Sequence, residues 1–277
     1  MSAPDHPLRA VFRHIRRNLV KYLTAKGPKM TRRYKITLAY DGTNYCGYQR
    51  QGNGIAVQQR VEEALEYVNL AHVAFHGCSR TDSGVHAKGF VGYADLDKPI
   101  PPKNFVRAMN ARLPPDIRVM RASITTPTFD AQRDVKGKEY RYFVYNAPIL
   151  PPHLYPYWEH AHQPLDIPAM QEGASRFVGT HDFKSFSSIS DRIPSTTVRD
   201  IYSFTVKKTG PRVVFAVQGK GFLYKQVRGM VGFLLRVGTG DEKPETVTEL
   251  LEAPDTRTAR VPSAPGRGLF LWRVWYK

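Results

Sequence analysis

One short stretch of the sequence, His76–Gly89 or HGCSRTDSGVHAKG, sets the carboxylate of Asp82 two residues after Arg80. A carboxylate can act as a covalent nucleophile or as a base without a cofactor, provided that it stays ionised and oriented. A neighbouring guanidinium favours the ionised form and fixes the plane of the carboxylate through paired hydrogen bonds. Arg80 is the local candidate for that guanidinium, and Arg228 is a distant one. The alternative is structural, because Asp, Ser and Gly form ordinary turns in which the carboxylate accepts backbone N–H groups.

Sequence motifs for nucleotide, dinucleotide and zinc chemistry are absent: the chain contains no GxxxxGK[ST], no GxGxxG after a strand and no HExxH. His160 and His162 could share one face of a strand, but no third and fourth ligand accompanies them. The two cysteines, Cys46 and Cys78, form no CxxC pair, which favours a reducing compartment over a disulfide framework. The sequence predicts no metal and no cofactor, so Asp82 would work with protein side chains alone.

The elements that must position these residues repeat one order, β-α-β-β-α-β, and predict an α+β fold with antiparallel sheets and helices on their faces. In the N-terminal half, residues 31–135, the periodicity predicts strands at 33–40, 72–77, 89–96 and 116–123 and helices at 56–68 and 101–113. In the C-terminal half, residues 136–277, it predicts strands at 138–146, 197–208, 212–219 and 268–276 and helices at 167–179, 222–238 and 244–253. The Pro-rich stretch 146–158 is expected to form a long ordered surface loop.

The charge of the chain points to a polyanionic partner. The 277 residues carry 41 Lys or Arg against 24 Asp or Glu, a formal net charge of +17, of which +8 falls on residues 1–33. The rest of the chain is therefore still basic, and nucleic acid is the commonest partner of such a field. No apolar run approaches the roughly 20 residues that span a bilayer, so no membrane partner is expected.

The first 30 residues read as a separate basic extension. Apolar residues recur there at helical spacing, with arginines on the other side, as in mitochondrial import sequences. The alternative is a retained basic helix that binds RNA phosphates or a partner. The localisation expected from the first interpretation is mitochondrial, and otherwise cytoplasmic or nuclear.

Seven segments in order resemble the TruA family of pseudouridine synthases, over about residues 33–277. SRTDSGVHAKGF is similar to the family's GRTDAGVHA signature, and YDGTNYCGYQRQ to its YDGxxYxGWQRQ, with Tyr48 in place of Trp. The other matching segments are VQQRVEEAL, MNARLP, KEYRYFVYN, FVGTHDFKSF and GFLYKQVRGMVGFLLRVG.

This resemblance implies two ferredoxin-like halves that form a continuous antiparallel sheet with a central basic cleft. It implies isomerisation of a uridine within RNA, in which the N-glycosidic bond breaks, uracil turns, and C5 forms the new bond to the sugar. Asp82 would be the catalytic carboxylate, either attacking C1′ or removing the 2′ proton. The expected partner is tRNA, with rRNA as a further possibility, and a homodimer is implied by bacterial relatives.

The resemblance also implies roles for other residues. Arg80 would hold the flipped nucleotide, Arg228 would pair with Asp82, and Tyr140 would stack on the target base. Taken alone, Tyr140 is a strand residue that could fill core, as Tyr142 or Tyr145 could. The expected substrate-binding residues are Phe222 and Leu223, which form an apolar wall, and Arg50, Gln51 and His86.

One departure affects the expected substrate. Where the family usually has FHAR, this chain has FDAQ at residues 129–132, so a carboxylate replaces an RNA-facing residue and an arginine is missing. Arg133 is the candidate replacement. A mitochondrial rRNA or a restricted set of tRNAs becomes a reasonable substrate, and the alternative function is an RNA-binding or ribosome-assembly factor with little or no catalytic activity.

Overall fold

The computed structural model describes residues 31–52, 54–188, 195–255 and 259–276. Their strands join into a single ten-stranded sheet. In this part of the chain no helix has the length and apolar character needed to cross a membrane. The basic extension at residues 1–30 lies outside the described residues.

The N-terminal half contributes four strands and two helices. They are β1 (Arg32–Tyr40), α1 (Val57–Asn69), β2 (His76–Gly77), β3 (His86–Leu96), α2 (Pro102–Asn110) and β4 (Ile117–Ile124). Strand β1 buries every second side chain, from Tyr34 to Tyr40, against the helices. The alternation of apolar residues therefore fixes which face of the sheet carries the core.

The C-terminal half contributes six strands and three helices. They are β5 (Gly137–Asn146), β6 (Glu159–Ala161), α3 (Ile167–Ser175), β7 (Gly179–Asp182), β8 (Val198–Thr209), β9 (Arg212–Gly219), α4 (Gln226–Gly238), α5 (Thr246–Glu252) and β10 (Leu269–Trp275). Asp166 begins α3 as an N-cap, since its side chain accepts the Ala169 N–H at 2.9 Å.

The sheet order confirms the predicted fold. The strands run β4-β1-β3-β10-β5-β9-β8-β7, so each half has its own four-stranded ferredoxin-like core, with β2 against β3 in the first half and β8 against β9 in the second. The halves join where β10 pairs with β3, through Phe270 opposite His86 and Leu271 opposite Ala87. This join is parallel, and so is the pairing of β6 with β5, whereas the other pairings are antiparallel.

The elements differ from the predicted ones at several ends: β3 begins at His86 rather than at residue 89, α2 ends at Asn110 rather than at residue 113, and α3 ends at Ser175 rather than at residue 179. The strand expected at 72–77 pairs only at His76–Gly77, and short strands β6 and β7 follow the Pro-rich loop and α3. Helix α4 begins at Gln226 rather than at residue 222, because Lys225 adopts a left-handed conformation with φ of 57°. Residues Phe222 and Leu223 therefore lie in a turn before the helix, where their side chains can face a cleft.

Candidate active site

Asp82 lies in the connection between β2 and β3, close to the join of the two halves. The turn expected there is present: Val85 donates its N–H to the Asp82 carbonyl at 3.2 Å, and Gly84 has a φ of 72°. The carboxylate does not cap this turn. It accepts a hydrogen bond from Arg228 instead, with 2.8 Å between Arg228 Nη1 and Asp82 Oδ2.

Arg228 reaches Asp82 from the first turn of α4, in the other half. Its Nε donates to the Ala264 carbonyl at 2.6 Å, and its own carbonyl accepts the Ala264 N–H at 3.0 Å. The first bond orients the guanidinium toward the Asp82 carboxylate, and the second holds the backbone of Arg228 in place. The side chains of Arg228 and Asp82 are 15% and 19% exposed, so the pair is sheltered but open to a substrate on one side.

Tyr140 stands next to this pair on β5. It is 6% exposed, its hydroxyl lies 3.2 Å from Ser79 Oγ, and its ring packs against Phe222 at 5.2 Å in an edge-to-face arrangement. Burial raises the pKa of Tyr140 well above its usual range, and the Asp82 charge acts in the same direction. The phenol therefore stays neutral. Leu223 follows Phe222 in the same half-buried turn, which Gln226 closes by accepting the Leu223 N–H at 2.8 Å.

Loop 41–56 holds the Asp82 connection from the side of β1. Tyr40 and Thr81 hydroxyls lie 2.8 Å apart, and Tyr48 donates its N–H to the Thr81 carbonyl at 3.0 Å. Gly47 has a φ of 94°, and a Cβ there would come within 2.5 Å of the Thr81 oxygen. The YDGTNYCGYQRQ motif thus supplies the backbone surface on which the connection rests.

Arg80, expected to hold the flipped nucleotide at the catalytic site, and Arg50 and Gln51, expected to bind substrate, lie at the surface, and the structure does not place them in contact with Asp82. Arg80 is exposed, and its guanidinium makes no hydrogen bond or ion pair with the described residues. Arg50 lies 3.8 Å from Glu62, and Gln51 donates to the Cys46 carbonyl at 2.6 Å. Contacts of Arg80, Arg50 and Gln51 with RNA stay predictions.

His86 requires a correction, because it is fully buried. Gly42 donates its N–H to Nδ1 at 3.0 Å, and Nε2 lies 3.1 Å from both the Pro156 and Arg267 carbonyls. Burial lowers the pKa of His86, although the nearby Asp41 opposes this shift. Both ring nitrogens are occupied, so His86 connects the N-terminal half to the Pro-rich loop and to β10 instead of binding substrate.

The FDAQ departure has a local structural role. The Asp130 carboxylate accepts the N–H groups of Gln132 and Arg133, both at 2.8 Å, and these bonds lower its pKa. Arg133 in turn donates to Asp134 at 3.2 Å and to the Thr128 carbonyl at 2.9 Å. Asp130 therefore closes the turn between the halves.

Metal ligation finds no support in the described residues, where no group of three or more His, Cys, Asp or Glu side chains could hold an ion. His160 donates to the Ala147 carbonyl at 2.8 Å, and its ring centre lies 6.3 Å from that of His162. His160 thus connects β6 to the start of the Pro-rich loop.

Several residues of the site carry no sequence signal of their own. Ser79 and Thr81 lie inside the signature, yet nothing in the pattern marks them as partners of Tyr140 and Tyr40. Ala264 bonds Arg228 only through its backbone, so the residue type at this position gives no sign of its role in the site.

Comparison with known proteins matches this arrangement to one family. A family described as tRNA pseudouridine synthase matches residues 36–132 and 174–277, which include Asp82 and Arg228 but not Tyr140. The tRNA pseudouridine synthase A of Exiguobacterium sibiricum is 42% identical over 249 residues, covering 88% of this chain and 97% of that protein. The protein of the same name from Pelobacter propionicus is 43% identical over 245 residues, 88% of this chain and all of that protein. The tRNA pseudouridine synthase A 2 of Clostridium perfringens is 39% identical over the same coverage.

The fold, the aspartate–arginine pair and these matches define an isomerase of the pseudouridine synthase class. Within that class, the chain belongs to the TruA-type tRNA pseudouridine synthase family. The resemblance read from the sequence motifs is confirmed.

Proposed function

We propose that this protein converts specific uridines of tRNA to pseudouridine, with Asp82 as the catalytic carboxylate. The observation that carries the proposal is the pair of Asp82 with Arg228, which brings a fixed, half-sheltered carboxylate from one half against a guanidinium from the other. The names of the relatives support tRNA as the substrate.

The reaction requires no external reagent. The C1′–N1 bond breaks and the C1′–C5 bond forms, and the proton lost from C5 is balanced by one gained at N1. Substrate and product are isomers, so neither an oxidant nor a reductant is consumed. Asp82 starts the exchange by attacking C1′ or by removing the 2′ proton, and Arg228 orients the carboxylate for either route. Deuterium at C2′ would slow only the second route.

The target base must leave its stack to reach Asp82. Tyr140 offers it a neutral ring, Phe222 packs edge-to-face against that ring, and the half-buried Leu223 that follows would extend the apolar wall. Because the detached uracil must turn without escaping, packing against these side chains controls its orientation as much as charge does.

The candidate path for the flanking RNA is a polar cavity lined by residues that come shortly before Tyr140 and Phe222 in the chain. The cavity has a volume of about 590 Å³, and its lining includes Arg133, Asp134, Lys136, Asp200, Tyr202 and Lys220. Lys136 and Lys220 precede Tyr140 and Phe222 by four and two residues. The Tyr202 ring is exposed, and its hydroxyl donates to the Lys136 carbonyl at 3.0 Å. Two exposed ammonium groups around a fixed aromatic ring suit phosphate contacts and base stacking.

The test compares Asp82→Asn and Asp82→Ala with the wild type on unmodified tRNA, measuring both pseudouridine formation and binding. We expect undetectable product with affinity near that of the wild type, because neither substitution removes a cation. Asp97→Asn, an exposed acid elsewhere in the N-terminal half, should behave as the wild type. An Asp82→Ala protein that restores every RNA modification of a null strain would establish the non-catalytic RNA-binding function instead.

Three finer parts of the proposal go further than family membership alone. Residues 1–30 direct the protein to mitochondria, supported by their amphipathic, arginine-rich pattern; a cellular protein that retains Met1 would contradict this.

The substrates include selected tRNAs and, as a second candidate, an organellar rRNA, which pseudouridine mapping with and without the gene would identify. The protein is a homodimer, as bacterial relatives imply, for which light scattering of the full-length chain should give twice its 31.4 kDa.

A further inference from the structure

Lys138 is a buried cation next to the active site. It precedes Tyr140 by two residues on β5, so both side chains point to the same face of the sheet. Lys138 is 9% exposed, and its Nζ donates to the Cys78 carbonyl at 2.8 Å. Cys78 comes directly before Ser79, the residue whose hydroxyl meets Tyr140.

No carboxylate neutralises this ammonium among the described residues. Glu139, the adjacent acid, points to the opposite face, where it pairs with Arg141 at 2.7 Å and lies 3.4 Å from Arg273. The Cys78 thiol is fully buried, and burial raises its pKa, so it offers no thiolate. Burial likewise lowers the pKa of Lys138. An isolated buried ammonium is costly to the fold, and an apolar side chain of similar length would fill the site at lower cost.

The hydrogen bonds of the loop that contains Asp82 suggest a role for this buried ammonium. Segment 78–82 is held by hydrogen bonds to three parts of the protein. Strand β5 holds its start, through Lys138 to Cys78 and Tyr140 to Ser79. The end of β1 and the loop after it hold Thr81 through Tyr40 and Tyr48, and helix α4 holds Asp82 through Arg228. The Arg80 guanidinium makes no hydrogen bond or ion pair with the described residues. The loop is thus fastened on both sides of the one side chain that is left exposed.

We propose that Lys138 is a positioning residue, which fastens the start of the catalytic loop to β5 through the Cys78 carbonyl and so keeps Asp82 opposite Arg228. The inference rests on the proposed function of Asp82. Lys138 itself is too buried to contact RNA, and it acts through the loop. A rigid connection places the carboxylate within the small tolerance that a reacting geometry allows, and a loose one does not.

The test is Lys138→Met, which keeps the length of the side chain and removes the ammonium. We expect its melting temperature to equal or exceed that of the wild type, its affinity for tRNA to be unchanged, and its single-turnover rate to fall at least ten-fold. Lys138→Arg keeps a donor in reach of Cys78 and should recover part of the rate. Lys208→Met is the matched control, since Lys208 Nζ donates to Asn146 at 2.8 Å, away from the loop; it should leave the rate unchanged.

A purely structural lysine gives the opposite pattern, in which Lys138→Met loses stability and rate together. That result, or a wild-type rate in Lys138→Met, overturns the inference. If Lys138→Met fails to fold, the role is structural and the inference falls as well. In each of these cases an inactive, tRNA-binding Asp82→Asn protein would leave the proposed function intact.

Discussion

Removal of the Arg228 side chain should affect both stability and catalysis, by amounts that follow from its two hydrogen bonds. Hydrogen bonds to charged groups contribute about 1.5–3 kcal/mol each. Arg228 makes one to Asp82 and one to the Ala264 carbonyl, and its partial exposure reduces their combined value. We therefore expect Arg228→Met to lower the free energy of unfolding by about 2–3 kcal/mol, which is about 4–12 °C in melting temperature for a protein of this size.

The Arg228→Met substitution should affect the reaction rate more strongly than it affects the free energy of unfolding. Without Arg228 the Asp82 carboxylate has no group that fixes its plane, and the loss of one such preorganised contact typically costs a hundred- to a thousand-fold in rate. Arg228→Lys can reach only one of the two partners, so we expect about half the stability loss and most of the rate loss. Thermal unfolding and single-turnover pseudouridine formation measure the two effects.

Arg236→Met provides the control on the same helix. Arg236 is 34% exposed, lies 3.9 Å from Glu242 and donates to the Ala259 carbonyl at 3.4 Å, about two turns after Arg228 on α4, so its removal should cost at most about 1 kcal/mol and leave the rate unchanged. If Arg228→Met forms pseudouridine at the wild-type rate while binding tRNA normally, the assignment of Asp82 and Arg228 as one catalytic unit is refuted.

Three further predictions concern the loop, the join and the RNA. Gly47→Ala should lower the free energy of unfolding by about 2–3 kcal/mol and slow the reaction, because its Cβ would press on the Thr81 oxygen. Gly210→Ala is the control, since Gly210 has open space around it; its melting temperature should fall less, and its activity should be kept. Because burial lowers the pKa of His86, its imidazole is protonated more readily in the unfolded chain than in the folded protein. The contribution of His86 to the free energy of unfolding is therefore fully present above the ordinary histidine pKa and is lost as the pH drops from about 7 to 5. The His86→Gln variant should lack this part of the pH dependence of stability. Lys220→Gln should weaken tRNA binding about equally for all sequences and reduce the slope of log affinity against log salt by about one; an unchanged slope would place the RNA elsewhere.

Local patterns predict the local elements well. The strand expected at 33–40 is β1, Arg32–Tyr40, and the helix expected at 56–68 is α1, Val57–Asn69. Both depend on side-chain periodicity within one segment. The periodicity does not predict the start of α4, because the left-handed conformation of Lys225 is set by the turn that precedes the helix and not by its side chain. Strands β6 and β7 are three and four residues long and exist through pairing with the preceding strand β5 and the following strand β8, which no pattern within the two short segments encodes.

The site was predictable only in part. Turn chemistry alone could not distinguish a capping Asp82 from a catalytic one, and of the two candidate guanidiniums the nearer one, Arg80, is not the partner. The resemblance pointed to Arg228, but the residues that fix this pair include the backbone of Ala264, which has no chemical signature. His86 illustrates the opposite error: it lies in the signature, and a polar residue there suggested substrate, while the fold uses it as a buried connector.

The distribution of the site over both halves couples its chemistry to the complete fold. Asp82 and Arg228 are 146 residues apart in sequence, and the β3–β10 join that brings their halves together has only two paired positions. Side-chain and loop contacts must therefore supply much of the stability of the join. Tyr157 donates to Asp41 at 2.7 Å across it, and His86 reaches the backbone beyond it. The proposed catalytic carboxylate meets its guanidinium only after the halves have docked, so the contacts that unite the sheet are also the ones that create the candidate active site.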